Sequence, residues 1–588
     1  MLSVKKSWKV KIIKLKSILG KGLKIMKKSI AVMLVAMMQS AFATQLMDGK
    51  YINFEEFVRS NNKQVVNASF KVSGSCKTVD QYKTTCVNGT NSTRRYFTNA
   101  MLQEAFAEAR NLKGIGVYLP PGVWNFNEQI VVPHGMTLKG SYDRPHNVTE
   151  SDLYAQAYVN QAKVTWNRTD GTNIACYHGW GWNPANYKEG WDQRDAGACI
   201  ALRGTATLDG VNVFYPQQAI PSASDDFNPV PYPWTISCQT GVGNFVHDDP
   251  YEGGDYISRC AIMNTTLVNS YAGIDLSGSN DHYIKGVNMT ALKRGIRIDA
   301  ITSQGAIEDV NIHTQFCTSY YGLMGVYAGE PTATKMYNDV ESYILNNMVG
   351  MEFGRVDWGW ISNVFIFKAN KGFYFRRGYN GDKEYRAVPS VDIQNSGCDL
   401  CVDAVYAEEI NSGIGVNFTN SNLLGRIYSG PNNYGPIRIL NSHLSFQAGL
   451  YGAYKKNNTN FYNRNHVDVG AHTTMQISNS EILDFMEDPI GLWYGASFNV
   501  EGNLLLSNST LAWPNLTGFN FASGTVNGVS VSPVVHFRTR SNNTNLLTNN
   551  LLIRSTEKLR VIKYGNAKID TAHTAYDPLS SGYNPQGR

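Results

Sequence analysis

The sequence is poor in charged residues. Only 17% of its 588 residues are Asp, Glu, Lys or Arg, whereas 43% are hydrophobic. Disordered chains and coiled coils carry far more charge, so both classes are excluded. No stretch approaches the roughly 18 consecutive apolar residues of a membrane-spanning helix. What remains is a globular chain rich in glycine (53) and tyrosine (33).

The motifs of several common enzyme classes are also missing. The sequence contains no Walker loop, no dinucleotide-binding fingerprint and no His-Glu-x-x-His segment. The formal net charge of +6 would suit nucleic acid, but ten lysines lie within residues 1–28, which leaves the rest of the chain at −4. A basic leader therefore accounts for the charge, and no nucleic-acid partner is expected.

The leader has the features of a secretion signal. Lys27 and Lys28 precede an apolar run at residues 30–38, and Ala41 and Ala43 then supply the small-x-small pattern of a cleavage site. We predict a signal peptide over residues 1–43, with either Met1 or Met26 as the start and an uncleaved anchor as the alternative. The mature chain should be secreted, periplasmic or at the cell surface, without stable membrane insertion.

Cysteine usage favours an oxidising compartment. The nine cysteines include three closely spaced pairs that could close loops as disulfides. Cys398 and Cys401 lack a second pair at zinc spacing, so a disulfide or two buried thiols is expected there instead of a metal site. The candidate disulfide pairs are Cys76 with Cys86, Cys176 with Cys199, and Cys238 with Cys260.

Short glycine-led strands recur along the chain at a fixed spacing. Segments beginning at Gly273 and Gly295, at Gly350 and Gly372, and at Gly413 and Gly435 are each separated by 22 residues. Apolar positions repeat from Ile284, Ile307 and Ile361, and Asn-Ser dipeptides recur at Asn420, Asn441, Asn479 and Asn508. Strands at this period with no helix between them are typical of a stacked parallel β-solenoid.

A helix precedes the solenoid. Thr98 is a suitable N-cap, and apolar residues at 101, 102, 105, 106 and 109 form one helix face that ends before Gly114. Such a helix would cover the open first coil, whose edge is otherwise prone to aggregation.

The segment after this helix resembles a known family. Leu119-Pro-Pro-Gly122, the Val-Pro-x-Gly turn at 132–135 and Leu138-Lys-Gly140 are similar to the opening coil of the pectate-lyase-like superfamily, which contains polysaccharide lyases, glycoside hydrolases, epimerases and tailspikes. The resemblance implies an all-β, single-stranded right-handed parallel β-helix (pectin-lyase-like solenoid) with an N-terminal capping helix. The catalytic motifs of polygalacturonases and classical pectate lyases are missing, so no catalytic residue follows from it. The predicted divisions are a signal peptide (1–43), an N-terminal extension (44–95), the β-helix (96–555) and a C-terminal tail (556–588).

The repeat predicts which polar side chains share the outer surface. Strand alternation places Ile274 inside the coil and Asp275 outside. The 22-residue offset then stacks Arg297 over Asp275, and a weaker alignment adds a coil beginning at Gly325. The outer column is predicted to contain Asp275, Arg297, Tyr327, Glu352 and Tyr374, and its neighbour to contain Ser277, Asp299, Gly329, Gly354 and Arg376.

Two reactions suit such a strip. Hydrolysis of a glycoside needs two carboxyl groups, for which Asp275, Asp299 and Glu352 are candidates. β-Elimination needs a base and a positive charge or Ca²⁺ against the substrate carboxylate, for which Arg297 or Arg376, with Asp275 as a Ca²⁺ ligand, would serve. The alternative is that Asp275 and Arg297 form only a solvated ion pair.

Exposed aromatic residues would add binding surface for sugar rings. Trp180 and Trp182 lie in a segment that breaks the repeat, and Trp358 and Trp360 are placed in the turn after the Glu352 strand; packing under a loop is the alternative for each.

We therefore expect an exported polysaccharide-active enzyme, a lyase or glycoside hydrolase, in which Asp275, Arg297, Asp299 and Glu352 are catalytic. Tyr327, Tyr374, Arg376, Trp180, Trp182, Trp358 and Trp360 would then bind substrate. The alternative is a non-catalytic glycan-binding surface or adhesion protein. No cofactor is expected except Ca²⁺ in the case of a lyase, and oligomeric state stays open.

Overall fold

The structure is a computed structural model of the 588-residue chain. It describes residues 46–61, 66–71, 91–145, 171–179, 197–215, 226–239, 259–313, 331–380, 389–446, 466–484, 497–512 and most strands between 519 and 577, with a few shorter pieces between them. Residues 1–43, the predicted signal peptide, lie outside the described residues.

Of the described strands, 37 form one sheet; Leu46–Met47 joins it antiparallel, and the other 36 form a ladder in which each strand pairs in parallel with the strand one coil further along the chain. The ladder folds around three faces, because each coil contributes a strand to face I, then face II, then face III. Four long strands turn from face to face without interruption: Ala261–Asp275 and His282–Ile298 contribute to all three faces, and Ile301–Ile312 and Val356–Phe367 to faces I and II.

The shorter strands fill the remaining positions. Face I contains Tyr51–Asn53, Gly116–Tyr118, Thr137–Lys139, Thr207–Asp209, Val391–Gln394, Val416–Thr419, Ile437–Leu440, Thr474–Ser478, Asn503–Ser507, Thr544–Thr548 and Lys568–Asp570. Face II contains Gly122–Phe126, Thr172–Cys176, Asn212–Phe214, Gly397–Asp399, Asn422–Leu424, His443–Phe446, Glu481–Asp484, Thr510–Ala512, Leu551–Ile553 and Ala575–Asp577. Face III contains Ile130–Val132, Ile200–Arg203, Trp234–Gln239, Val349–Phe353, Lys371–Phe375, Asp403–Ala407, Arg426–Ser429, Val467–Val469, Ser497–Val500, His536–Thr539 and Arg560–Lys563.

The predicted parallel β-helix is thereby confirmed. Ile284 pairs with Ile307 and Ile307 with Ile361, as their spacing predicts. A side chain at Gly273 would meet the backbone of Gly295, and one at Gly350 would meet that of Gly372, so these glycines stack on successive coils. The alignment of Gly413 with Gly435 is wrong by one residue, because Val416 pairs with Ile437, an offset of 21.

The ladder is longer than predicted. It begins with Tyr51–Asn53, which pairs with Gly116–Tyr118, and it continues to Ala575–Asp577. It therefore extends beyond residues 96–555 at both ends.

The corner between faces I and II is built from the Asn-Ser dipeptides. Asn420, Asn441, Asn479 and Asn508 have φ values of 50° to 53°, the left-handed region that asparagine tolerates better than most residues. The serine that follows each asparagine is buried, and its Oγ donates to the carbonyl two residues earlier. That Oγ also accepts the backbone N–H of the equivalent serine one coil earlier: Ser421 donates to Ser442 (3.1 Å), Ser442 to Ser480 (3.2 Å) and Ser480 to Ser509 (3.2 Å).

The predicted N-terminal helix spans Asn99–Asn111, with the side chain of Thr98 accepting the N–H of Met101 at 3.2 Å. All five predicted apolar positions of this helix are buried. Two further helices, Phe54–Ser60 and Pro331–Asn347, lie outside the coils. Pro331–Asn347 belongs to an insertion between faces II and III, and it packs against His282–Ile298.

Few strands lie outside the parallel ladder. Leu46–Met47 pairs antiparallel with Tyr51–Asn53. Val66–Lys71 pairs with Asn91–Tyr96, Gly378–Asn380 pairs with Lys383–Tyr385, and Phe519–Asn520, Thr525–Val526 and Val529–Ser530 form a small antiparallel sheet.

Three disulfides lie at corners of the coil: Cys176–Cys199, Cys238–Cys260 and Cys398–Cys401, with Cα–Cα distances of 6.3, 6.0 and 5.9 Å. The first two confirm predicted pairs, and the third confirms the disulfide alternative for Cys398 and Cys401. Cys76 and Cys86 lie outside the described residues. Within the described part of the chain, no helix is both long and apolar enough to cross a membrane.

The serine corner leads to a stability prediction. Replacing Ser442 by Ala removes the acceptor for the N–H of Ser421 and a donor to the carbonyl of Leu440, so the free energy of unfolding should fall by about 1–3 kcal/mol. Ser445 is a matched control, because it is also buried but its Oγ has no hydrogen-bond partner among the described residues. Urea unfolding followed by circular dichroism should show little change for Ser445→Ala. Equal effects of the two substitutions would contradict the role given to Ser442.

Candidate functional site

Face III carries a continuous column of outward residues. The strand register joins Asp275 to Arg297, Arg297 to Glu352, and Glu352 to Tyr374. This column continues beyond the predicted strip, and in chain order it contains Ser237, Asp275, Arg297, Glu352, Tyr374, Tyr406, Tyr428 and Asp468.

The prediction of a separate coil that contains Tyr327 is wrong. Arg297 pairs directly with Glu352, so no coil lies between their strands. The intervening chain leaves the ladder after Ile312 and returns at Val349 as an insertion that includes the helix Pro331–Asn347. Tyr327 itself lies outside the described residues, as do Trp180 and Trp182.

The predicted catalytic residues come together but are not accessible. Asp275 and Arg297 are 0% exposed, Asp299 is 1% exposed and Glu352 is 2% exposed. The expectation of a reachable groove is therefore wrong for all four. Strand alternation defines the outside of the coil, but an outer side chain can still be buried by neighbouring residues.

Asp275 and Arg297 form a buried bidentate ion pair. The guanidinium Nε and Nη2 of Arg297 donate to the two carboxylate oxygens of Asp275 at 3.0 and 2.7 Å. The backbone N–H and the hydroxyl of Ser277 donate to the same carboxylate at 3.0 and 2.6 Å. Trp234 closes the other side, with its ring 4.9 Å from the Arg297 guanidinium. The solvated-pair alternative is therefore wrong as well, because this pair is buried.

Arg376 joins the remaining two carboxylates. Its Nε donates to Glu352 at 2.5 Å and its Nη1 donates to Asp299 at 3.0 Å, while Arg294 also pairs with Glu352. The Asp299 carboxylate also accepts the backbone N–H of Arg355 at 2.8 Å. Gly354 is required beside it, because a Cβ there would lie 2.2 Å from the carboxylate oxygen. This glycine therefore makes room for the Asp299 side chain.

The side chains described above form a cluster in which three carboxylates are balanced by three guanidinium groups. Burial alone raises the pKa of Glu352, but the charges of Arg294 and Arg376 outweigh it and hold that pKa below its ordinary value. The same competition, between burial and the Arg297 charge, lowers the pKa of Asp275. Both groups are thus held as carboxylates, which is unfavourable for a general acid. The cluster, which we name the ionic cluster, consists of Asp275, Arg294, Arg297, Asp299, Glu352 and Arg376.

Beyond the ionic cluster, the same column becomes aromatic and partly exposed. The rings of Tyr374, Tyr406 and Tyr428 follow one another on successive coils, with centroid distances of 5.5 and 4.7 Å. Lys371 places its Nζ 3.9 Å from the ring centres of both Tyr374 and Tyr406. Tyr374 meets Tyr406 edge to face, whereas Tyr406 and Tyr428 are stacked, and we call these three rings the tyrosine ladder. The sequence analysis identified Tyr374 but missed Tyr406 and Tyr428, although their separation of 22 residues matches the repeat.

An exposed carboxylate lies beside the tyrosine ladder. Glu408 accepts a hydrogen bond from the Tyr374 hydroxyl. Burial, followed by the bond to Glu408, raises the pKa of Tyr374, so this hydroxyl stays protonated. At the other end, Arg426 pairs with Asp403 at 2.5 Å and with Asp468 at 3.5 Å, and it lies over the Tyr428 ring.

Trp358 and Trp360 lie on another face. They belong to the strand Val356–Phe367 and pair with Gln304 and Ala306 on face I. The prediction that they follow Glu352 in a turn beside the strip is therefore wrong. Among the described residues, no three His, Cys, Asp or Glu side chains are grouped so as to hold a metal ion.

The ionic cluster should stabilise the fold. Arg376→Met would leave Asp299 and Glu352 buried without their shared cation, so the free energy of unfolding should fall by about 3–5 kcal/mol. Lys285→Met is the matched control. Lys285 pairs with Glu308 at 3.0 Å on face I, and because both side chains are partly exposed, this pair should contribute less than about 1 kcal/mol to the free energy of unfolding. Urea unfolding of both variants measures the difference. An Arg376→Met protein as stable as the control would show that the cluster does not support the fold.

No protein-family model and no curated protein sequence matches the chain. The solved structures that resemble it include the catalytic unit of a GH87 alpha-1,3-glucanase from Streptomyces thermodiastaticus, at 10% identity and a TM-score of 0.40, covering 82% of this chain and 66% of that one. The Dettilon tailspike protein resembles it at 9% identity and a TM-score of 0.32, covering 81% of this chain and 64% of that one.

A third similar structure is the A-module of a mannuronan C-5 epimerase from Azotobacter vinelandii, at 10% identity and a TM-score of 0.29, covering 81% of this chain and 95% of that one. Likeness at this level concerns the fold alone. The strand register of the chain itself defines the coils of its parallel β-helix.

Proposed function

We propose that the chain is a carbohydrate-active protein that binds a glycan along the tyrosine ladder of face III. The observation that carries this proposal is the row of three partly exposed tyrosine rings on successive coils. Tyrosine rings bury the apolar faces of sugar rings, and their hydroxyls bind sugar hydroxyls. Adjacent parallel strands lie about 4.8 Å apart, so three rings span roughly two sugar units along the axis of the β-helix.

The charges beside the ladder favour a neutral glycan. Every cation beside the ladder has acidic neighbours, as in the pairs Arg377–Glu409 and Arg426–Asp403. An acidic polysaccharide would need an excess of positive charge to replace the water around its carboxylates. Three cations, Lys371, Arg377 and Arg426, face four carboxylates, Asp403, Glu408, Glu409 and Asp468.

Hydrolysis is the reaction that this arrangement favours. Glu408 is exposed and accepts the Tyr374 hydroxyl, so it can serve as one of the two carboxyl groups of a hydrolase, either protonating the leaving oxygen or withdrawing a proton from the attacking water. β-Elimination is less favoured, because it needs a cation against a uronic acid carboxylate. Hydrolysis by this route requires no metal ion, and Ca²⁺ would enter only in the elimination alternative.

The second candidate is a non-catalytic glycan-binding protein. The burial and mutual pairing of Asp275, Asp299 and Glu352 favour it, because three of the carboxylates first expected to act on substrate are occupied by arginines. Export is part of both proposals. The leader and the three disulfides support an oxidising compartment outside the cytoplasm.

The binding proposal predicts a defined loss of affinity. Tyr406→Ala removes the central ring of the ladder, so the dissociation constant for a bound neutral polysaccharide should rise about two- to twelvefold, the equivalent of about 0.5–1.5 kcal/mol. Tyr406→Phe keeps the ring and should bind nearly as well. Affinity electrophoresis in gels containing arabinoxylan, dextran or polygalacturonate measures both. Retention by polygalacturonate alone, or an unchanged Tyr406→Ala protein, would contradict the proposal.

The catalytic proposal predicts a loss of product. If the chain is a hydrolase, Glu408→Gln should lower the release of reducing ends by roughly 10²–10⁴-fold, the effect of losing a general acid or base. Glu481→Gln, which changes a half-exposed carboxylate on face II, should leave the rate unchanged. The assay should include an α-1,3-glucan among the neutral polysaccharides. Binding without any product favours the non-catalytic candidate, and unsaturated products detected by ultraviolet absorbance favour a lyase.

A further inference from the structure

Face I carries two exposed indole rings that the tyrosine ladder does not involve. Trp358 is 50% exposed and Trp360 is 44% exposed. Only Gly359 separates them, so both side chains point away from the coil on the same side of one strand. Their Cα atoms are about 6.6 Å apart along that strand, at 3.3 Å per residue.

The side chains beside the two rings are polar or small. On the preceding coil, the exposed Gln304 pairs with Trp358, and the small Ala306 pairs with Trp360 and leaves its ring uncovered. On the following coil, Asp392 pairs with Trp360 and accepts the side-chain amide of Asn417 at 2.6 Å. Hydrogen-bonding groups therefore lie on both sides of the aromatic pair.

We propose that Trp358 and Trp360 form a second carbohydrate-binding site, on face I, that takes neutral sugar units. Exposed indole surface is unfavourable in water, and stacking on the apolar face of a sugar ring removes it from water. Neighbouring Asp392, Gln304 and Asn417 supply acceptors and donors for the hydroxyls at the edge of that ring. The nearby cations are paired, Arg355 with Asp357 and Lys285 with Glu308, and Asp392 adds a negative charge, so the site offers no excess positive charge to an acidic ligand.

The size of the patch argues against a protein partner. A stable protein interface buries about 800 Å² on each side. Two half-exposed aromatic side chains offer roughly 150–250 Å² of surface, since a complete aromatic side chain buries about 150–250 Å². Such an area suits one or two sugar units.

The two sites would hold a glycan in different directions. The rings of the tyrosine ladder follow one another from coil to coil, along the axis of the β-helix. Trp358 and Trp360 follow one another along a single strand, across that axis. A long or particulate polysaccharide can therefore occupy both faces, whereas a short oligosaccharide occupies one.

The test uses the full chain and the variants Trp358→Ala, Trp360→Ala and the double variant. Retardation in gels containing arabinoxylan or dextran, and binding to α-1,3-glucan particles, should weaken about two- to tenfold for each substitution and further for both. Phe365→Ala is the matched control, because Phe365 is a 37% exposed aromatic residue of the same strand that belongs to face II. It should bind as the unchanged chain does.

The effect of the tryptophan substitutions on binding can be distinguished from the effect of substitutions in the tyrosine ladder. If the two sites are independent, the effects of Tyr406→Ala and of the double tryptophan variant on affinity should multiply, and either can be lost without the other. Unchanged binding by the double tryptophan variant would overturn the inference even if Tyr406→Ala binds weakly. No retention of the unchanged chain on any of these polysaccharides would also overturn it. Sedimentation that shows a dimer dissociated by the tryptophan substitutions would instead assign the patch to a second copy of the chain.

Discussion

The hydrogen bond from the backbone of one corner serine to the side chain of the next is the interaction on which the register of the C-terminal coils depends. At these corners the asparagine adopts the left-handed conformation, and the N–H of the serine that follows it is directed toward the next coil. The hydroxyl of Ser442 accepts the backbone N–H of Ser421, and the hydroxyl of Ser480 accepts the backbone N–H of Ser442. Each coil is thus aligned with its neighbour at one point, and the flanking strands follow.

This fixed register determines what an outer side chain can do. Each outer residue of face III lies beside the equivalent residue of the adjacent coils, so neighbours in a column must be compatible in charge and shape. Asp275, Arg297 and Glu352 meet this condition by alternating in sign, which allows the segment to be buried. The tyrosines after them meet it by ring-to-ring contact, and all three stay partly exposed. One column therefore contains a segment that supports the fold and a segment available to a ligand.

The 22-residue repeat made the parallel β-helix predictable, whereas an N-cap and one apolar face predicted the capping helix, and closely spaced cysteines predicted two of the disulfides. Insertions have no such spacing, so Gly350 follows Gly295 directly on the next coil although 55 residues separate them. The pairing of Val416 with Ile437 shows that even a short coil can be one residue shorter than its neighbours. The candidate site was predicted less well, because a repeat identifies the outward position of Arg297 but contains no information on what packs over it.

The disulfides are distributed unevenly along the chain. All nine cysteines precede residue 402, so the coils after Cys401 are joined only by noncovalent contacts with their neighbours. In a solenoid, each coil is held mainly by the coils before and after it, and loss of order spreads from whichever end is weakest. Cys176–Cys199, Cys238–Cys260 and Cys398–Cys401 hold corners of the earlier coils together. Fraying under heat or protease should therefore begin at the carboxyl end, and the coils held by Cys176–Cys199 and Cys238–Cys260 should outlast those after them.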